Sequence, residues 1–213
     1  RQTYIGPLMR RYATMYRSGD CAGDFRQNKV NTINLRLMSG ETVIHSDMLL
    51  WNAEEPVERV AMQFQHVLFS VPQISVRIDE MPQSHQQALA FWLGFWRRHR
   101  ELLLRGIFRA HHPELGYSLV TAQNETMFLA VSYGNNCIDL APDSRHQIIV
   151  NCTFDERVAL RAPRRAQAHA MLHDCLGNLI ESTDHTVAGL FELPIPPAGF
   201  AEITLKRDQA RRE

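Results

Sequence analysis

No apolar run in the 213 residues comes near the roughly 20 that a membrane-spanning helix needs, so no membrane partner is expected. Charge of either sign is not in excess. Lys and Arg together number 23, Asp and Glu 23, and this balance argues against a nucleic-acid binder, which normally carries a basic stripe. The four cysteines (Cys21, Cys137, Cys152, Cys175) never form a C-x-x-C pair, so a structural zinc site is disfavoured and reduced, partly buried thiols are expected. Internal repeats and low-complexity tracts are missing. So are the P-loop, G-x-G-x-x-G and G-x-S-x-G motifs, and neither a cofactor nor a metal is expected. No charged-then-apolar leader follows Arg1, which favours the cytoplasm over secretion. The absence of an initiating Met points to a processed or excised chain whose upstream signals are not in view.

What is present is 45% apolar residues, enough for a substantial core in one large domain or two small ones. Residues 1–112 alternate apolar runs with helical segments. V-I-H-S-D-M-L-L-W (43–51) reads as a strand, and 57–70 places Val57, Val60, Ala61, Phe64, Val67 and Leu68 at helical spacing after Pro56. A second strand-like run covers 71–79. A long amphipathic helix over 84–106 follows, with Ser84 as N-cap, Gly106 as its stop, and a stripe of Ala88, Leu89, Trp92, Phe95 and Trp96. Strand, helix, strand, helix is the signature of a parallel sheet or barrel. After Tyr117 the pattern becomes short strands between Gly, Asn, Asp and Pro turns, which suggests an antiparallel β-sandwich over 117–213, joined through H-H-P-E-L-G-Y (111–117).

The chemistry-bearing residues concentrate in two stretches. M-Y-R-S-G-D-C-A-G-D-F (15–25) sets Asp20 and Asp24 four apart behind Arg17. It is no calcium loop, because from Asp20 the third, fifth and sixth positions are Ala22, Asp24 and Phe25. His45, Ser46 and Asp47 have the residue types of a hydrolase triad, but neighbours on a strand face opposite ways, so only His45 and Asp47 share a face. That pair stands equally well as a structural hydrogen-bonded couple. His169 and His173 lack the Glu of H-E-x-x-H, His111 and His112 sit at a junction, and Arg97, Arg98, His99 and Arg100 read as a solvated helix face.

Taken in order, R-Q-T-Y-I-G-P (1–7), M-Y-R-S-G-D-C-A-G-D (15–24), T-V-I-H-S-D-M-L-L-W (42–51), L-F-S-V-P-Q-I-S (68–75) and F-W-R-R-H-R-E-L-L-L-R-G-I-F-R (95–109) resemble the C-terminal part of melibiase-type α-galactosidases, glycoside hydrolase family 36. The resemblance implies an α/β plus all-β chain: the C-terminal part of a (β/α)8 TIM barrel over 1–112, then an antiparallel β-sandwich over 117–213. It implies a retaining glycoside hydrolase acting on terminal α-linked galactosides, with Asp20 as general acid/base and Arg17, Asp24, His45, Asp47 and Trp51 around the sugar. The family's nucleophile lies in a K-x-D motif upstream of the R-S-G-D loop, and no such motif precedes that loop here. The chain therefore reads as a fragment lacking the nucleophile, with a carbohydrate as partner and homo-oligomerisation left open. The competing expectation is a non-catalytic carbohydrate-binding or structural module.

Overall fold

The computed structural model describes residues 5–40 and 42–206, so the first four residues of R-Q-T-Y-I-G-P and the seven after Lys206 lie outside the described set. The chain divides into two compact units, Arg1–Arg105 and Gly106–Glu213.

In the first unit a short helix α1 (Pro7–Arg10) precedes β1 (Met15–Arg17), α2 (Phe25–Ser39), β2 (Val43–Leu49), α3 (Val57–His66), β3 (Val71–Ile74) and α4 (Gln83–Arg105). The three strands pair in parallel in the order β1-β2-β3. Central strand β2 buries Ile44, Ser46, Asp47 and Leu49, so its polar residues go inside with its apolar ones. Helix α4 buries Ala88, Leu89, Trp92, Phe95, Leu102 and Leu103 at three- and four-residue spacing. The Trp96 indole donates to the Ser70 carbonyl at 2.8 Å. Helix α2 has no apolar stripe. Its buried positions include Asn28, Lys29, Thr32 and Ser39 beside Ile33, so polar bonding and an Asp24 cap compensate for weak apolar patterning.

The second unit contains β4 (Ile107–His111), β5 (Leu119–Gln123), β6 (Met127–Ser132), β7 (Cys137–Asp139), β8 (His146–Asn151), β9 (Val158–His173), β10 (Leu179–Leu193) and β11 (Phe200–Leu205). They form one sheet in the order β10-β9-β11-β8-β6-β5-β4, with β7 attached to β9. β6 runs parallel to β8 and β7 parallel to β9, while the remaining pairs are antiparallel. Leu129, Ile149, Leu160, Phe200 and Ala201 are among the residues its core buries almost completely.

These pairings correct the fold expected from the sequence. The second half is a single curled mixed sheet, a half-barrel, and not an antiparallel sandwich of two sheets. The first half is not part of a (β/α)8 barrel: strands predominate in the chain, and only four α-helices occur among the described residues. The physical reason lies at the end of α4. The next strand, β4, pairs antiparallel with β5 and joins the other sheet, so parallel addition stops at three strands. One further difference is that β9 runs unbroken for 16 residues, Val158–His173, where the sequence pattern suggests only short strands. Pro163 ought to interrupt a ladder, since it has no N–H to donate. Here Ala162 pairs with Gly189 and Ala166 with Val187, so three residues of β9 oppose only Ala188. This bulge holds Pro163 off the ladder, and Gly189 at φ +60° accommodates the turn of its partner strand.

Candidate functional site

The R-S-G-D loop leaves β1 at Arg17, whose strand partner on β2 is His45. Two residues beyond His45 comes Asp47, fully buried. The Arg17 guanidinium reaches both carboxylates: it bonds Asp20 Oδ1 at 3.0 Å and makes a short contact with Asp47 Oδ1. Asp20 keeps 79% of its side chain exposed, whereas Asp47 keeps none. One cation thus ties an interior carboxylate on β2 to a surface one just past the end of the parallel neighbour β1.

Asp47 is held on every side. Its second oxygen accepts the Cys21 backbone N–H, so the loop that carries Asp20 folds down over it. Asn28 of α2 clamps its backbone in both directions, donating to the Asp47 carbonyl at 3.0 Å and accepting the Asp47 N–H at 2.9 Å. The Ser18 hydroxyl donates to the same Asn28 oxygen at 3.2 Å. Burial by itself would raise the Asp47 pKa. The Cys21 amide and the Arg17 guanidinium outweigh burial and hold the carboxyl below the usual carboxylate range. Arg17 is driven upward in return, chiefly by its bond to Asp47. Burial, then Asp47, pushes the Cys21 thiol up to about 11, so it is a poor nucleophile at neutral pH.

The other candidates fall in different places. Asp24 is the N-cap of α2 and accepts the Gln27 N–H at 2.9 Å. His45 is half-buried on β2, with its pKa lowered by burial, and its carbonyl accepts the Ser18 N–H at 3.1 Å. Trp51 is 7% exposed and meets Phe64 edge to face, ring centroids 5.9 Å apart. Its indole N–H has no hydrogen-bond partner among the described residues. Arg17, Asp20 and Asp47 are therefore in direct contact, His45 is their neighbour on β2, Asp24 holds a helix end, and Trp51 lies in the packed interior.

Asn28 and Ser18 are the residues the sequence reading missed. Asn28 stands in a segment without helical apolar periodicity, so no signal marked it. Asp24 did carry a legible one, because D-F-R-Q has the spacing of a capping box at the start of a helix. Among the described residues no group of three or more His, Cys, Asp or Glu side chains is placed to hold a metal ion. Acid catalysis requires a carboxyl kept protonated by burial or by a second carboxylate. Asp20 has instead an open side chain and a cationic neighbour. Alone, the arrangement can accept hydrogen bonds from hydroxyl groups and can orient one carboxylate against another. No family model matches the chain, and no curated protein matches it.

Proposed function

We propose that the loop carrying Asp20 is the acid/base half of a retaining glycoside hydrolase site for terminal α-linked galactosides, of the kind found in melibiase-type enzymes. The reading takes over that family's chemistry and not its barrel. Arg17 supports it most directly, since it holds an exposed carboxylate just past the end of β1 and a buried one on the neighbouring strand β2. Retaining hydrolysis uses two carboxyl groups about 5–5.5 Å apart, one attacking the anomeric carbon and one protonating the leaving oxygen. Asp20 supplies the second. The attacking carboxylate comes from a segment outside these residues, and its approach would also provide the neighbouring negative charge that an acid needs to keep its proton. Asp47 and Asn28 hold Arg17 and the loop in place, so the loop is ordered before substrate arrives.

The test uses the protein together with its nucleophile-bearing segment. Asp20→Asn lowers turnover of α-galactosides with poor leaving groups by about 10²–10⁴-fold. Activated aryl α-galactosides, which need little proton donation, lose far less. Equal losses on both substrates overturn the acid role. A second reading, a non-catalytic carbohydrate-binding or structural module, is favoured by the exposure of Asp20 beside a cation. Saturable galactose binding that weakens in Asp20→Asn, with no hydrolysis of either substrate, would select it.

A further inference from the structure

A second feature lies in the other unit, where the β7–β8 loop, the β9 bulge and the end of β11 meet around a cavity of about 370 Å³. Four cationic side chains line it, Arg145, Arg164, Arg165 and Lys206, against one carboxylate, Asp143. Two of the four are engaged: Arg164 lies 3.6 Å from Asp143, and Lys206 bonds Asp184 at 2.8 Å. Among the described residues no ion pair engages Arg145 or Arg165. Beneath this rim the lining is aliphatic, with Leu140 and Val187 buried and Leu205 half-buried.

The cavity is built on held backbone. Gln147, buried, accepts the Ala141 N–H at 2.9 Å and donates to the Ala141 and Ser144 carbonyls, which fixes the curve of the β7–β8 loop. Leu205 N–H donates to the Arg145 carbonyl at 2.9 Å, and Lys206 N–H to the Gln167 carbonyl at 2.8 Å, so loop, bulge and strand end are laced together. The bulge is the decisive part. A regular ladder would alternate residues 163–165 between the two faces of the sheet, whereas three residues set against one bring Pro163, Arg164 and Arg165 all to the cavity wall. Two cations without carboxylate partners above an apolar floor, in a preformed cavity within the size range of small-ligand sites, match an anion that has an aliphatic portion.

We propose that this cavity is a binding site for a small organic anion, its carboxylate or phosphate headgroup between Arg145 and Arg165 and its aliphatic part on Leu140, Val187 and Leu205. Titration calorimetry of the full chain with four probes tests it: hexanoate, hexyl phosphate, inorganic phosphate and hexanol. The two organic anions bind saturably at one site. The tighter of them identifies the headgroup. Inorganic phosphate, lacking the tail, and hexanol, lacking the charge, each bind about tenfold more weakly or not at all. Arg145→Ala with Arg165→Ala weakens the organic anions by about tenfold while the unfolding midpoint stays put. If the double variant does not fold, the wild-type salt series decides, because an ion-paired headgroup loses affinity as ionic strength rises past about 0.1 M. No saturation at millimolar probe, affinity indifferent to salt and to the double substitution, or inorganic phosphate binding as tightly as hexyl phosphate overturns the proposal.

Discussion

At the scale of single residues, the central fact is a buried carboxylate that stays ionised because its neighbours are fixed. Removing one partner of a fully buried ion pair costs about 3–5 kcal/mol, and Arg17, which keeps 30% exposure, costs less than that upper range. Arg17→Met is expected to destabilise the first unit strongly in urea denaturation, and Asp47→Asn in that background to restore part of the loss. If the second substitution only adds to the damage, Asp47 is stabilised by its amide donors and not by Arg17. Two histidines add a pH dependence. Burial holds His66 down to about 3, outweighing its bond to the Met62 carbonyl, and holds His99 down to about 4. An unfolded chain protonates each near 6.5, while the folded one does not. Their contribution is therefore complete above that pH and drains away as pH falls toward those lowered values, by at most about 1.4 kcal/mol per pH unit for each group. Denaturation midpoints between pH 7 and pH 5 should fall, and His66→Gln should flatten the slope by one proton. Asp47 acts at the acid end: its lowered pKa stabilises above about 3.9 and is lost on going below.

At the scale of elements, legibility in the sequence followed the period of burial. Helix α4 declares itself because Ala88, Leu89, Trp92 and Phe95 repeat at helical spacing and Gly106 follows its last residue, Arg105. Strand β2 declares itself through a run of apolar residues between turn signals. Helix α2 does not, since Asn28, Thr32 and Ser39 are buried for their hydrogen bonds, and no hydropathy pattern registers a hydrogen bond. Asp24, read first as a sugar ligand, begins that helix. Asp24→Ala should cost about 1 kcal/mol in denaturation experiments, with Asp24→Asn or Asp24→Ser nearly neutral. A loss of sugar binding in Asp24→Ser with unchanged stability would instead return Asp24 to the ligand set. The half of the candidate site that was readable, the contacting set Arg17, Asp20 and Asp47, came from motif order. The clamp that holds it, Asn28 and Ser18, depends on a helix crossing a strand and leaves no local trace.

At the scale of the whole molecule, several strands of the second unit were readable as apolar runs, β4, β5 and β7 were not, and strand pairing was not readable at all. Met127–Ser132 and His146–Asn151 look like any two strands in a β-rich chain, and their parallel register is decided by β7 crossing to β9 between them. The hydrophobic core of the second unit is drawn from Leu119 through Ile203, wholly within that unit. Residues 106–206 expressed alone should therefore give a β-rich circular dichroism spectrum and one cooperative unfolding transition. A non-cooperative melt would mean that this core needs the first unit. The first unit has the opposite character. Among the described residues its three-stranded sheet leaves β1 and β3 as edges, and open parallel edges invite pairing with other chains. Light scattering of the first unit alone is expected to show association, and a clean monomer would show that these edges are shielded.

The position of β11 has a consequence for how the protein is made. It sits between β8 and β9, although it is the last of the described strands to be synthesised. A ribosome adding about 5–20 residues per second will have released β9 and β10, free to zip into their hairpin, while the slot beside β9 is still empty. Until residues 200–205 emerge, β8 and β9 each present an unpaired ladder to solvent and to one another. A released chain truncated just before Phe200 is thus a strand-acceptor, and a free peptide spelling F-A-E-I-T-L should be captured by it and not by the finished protein.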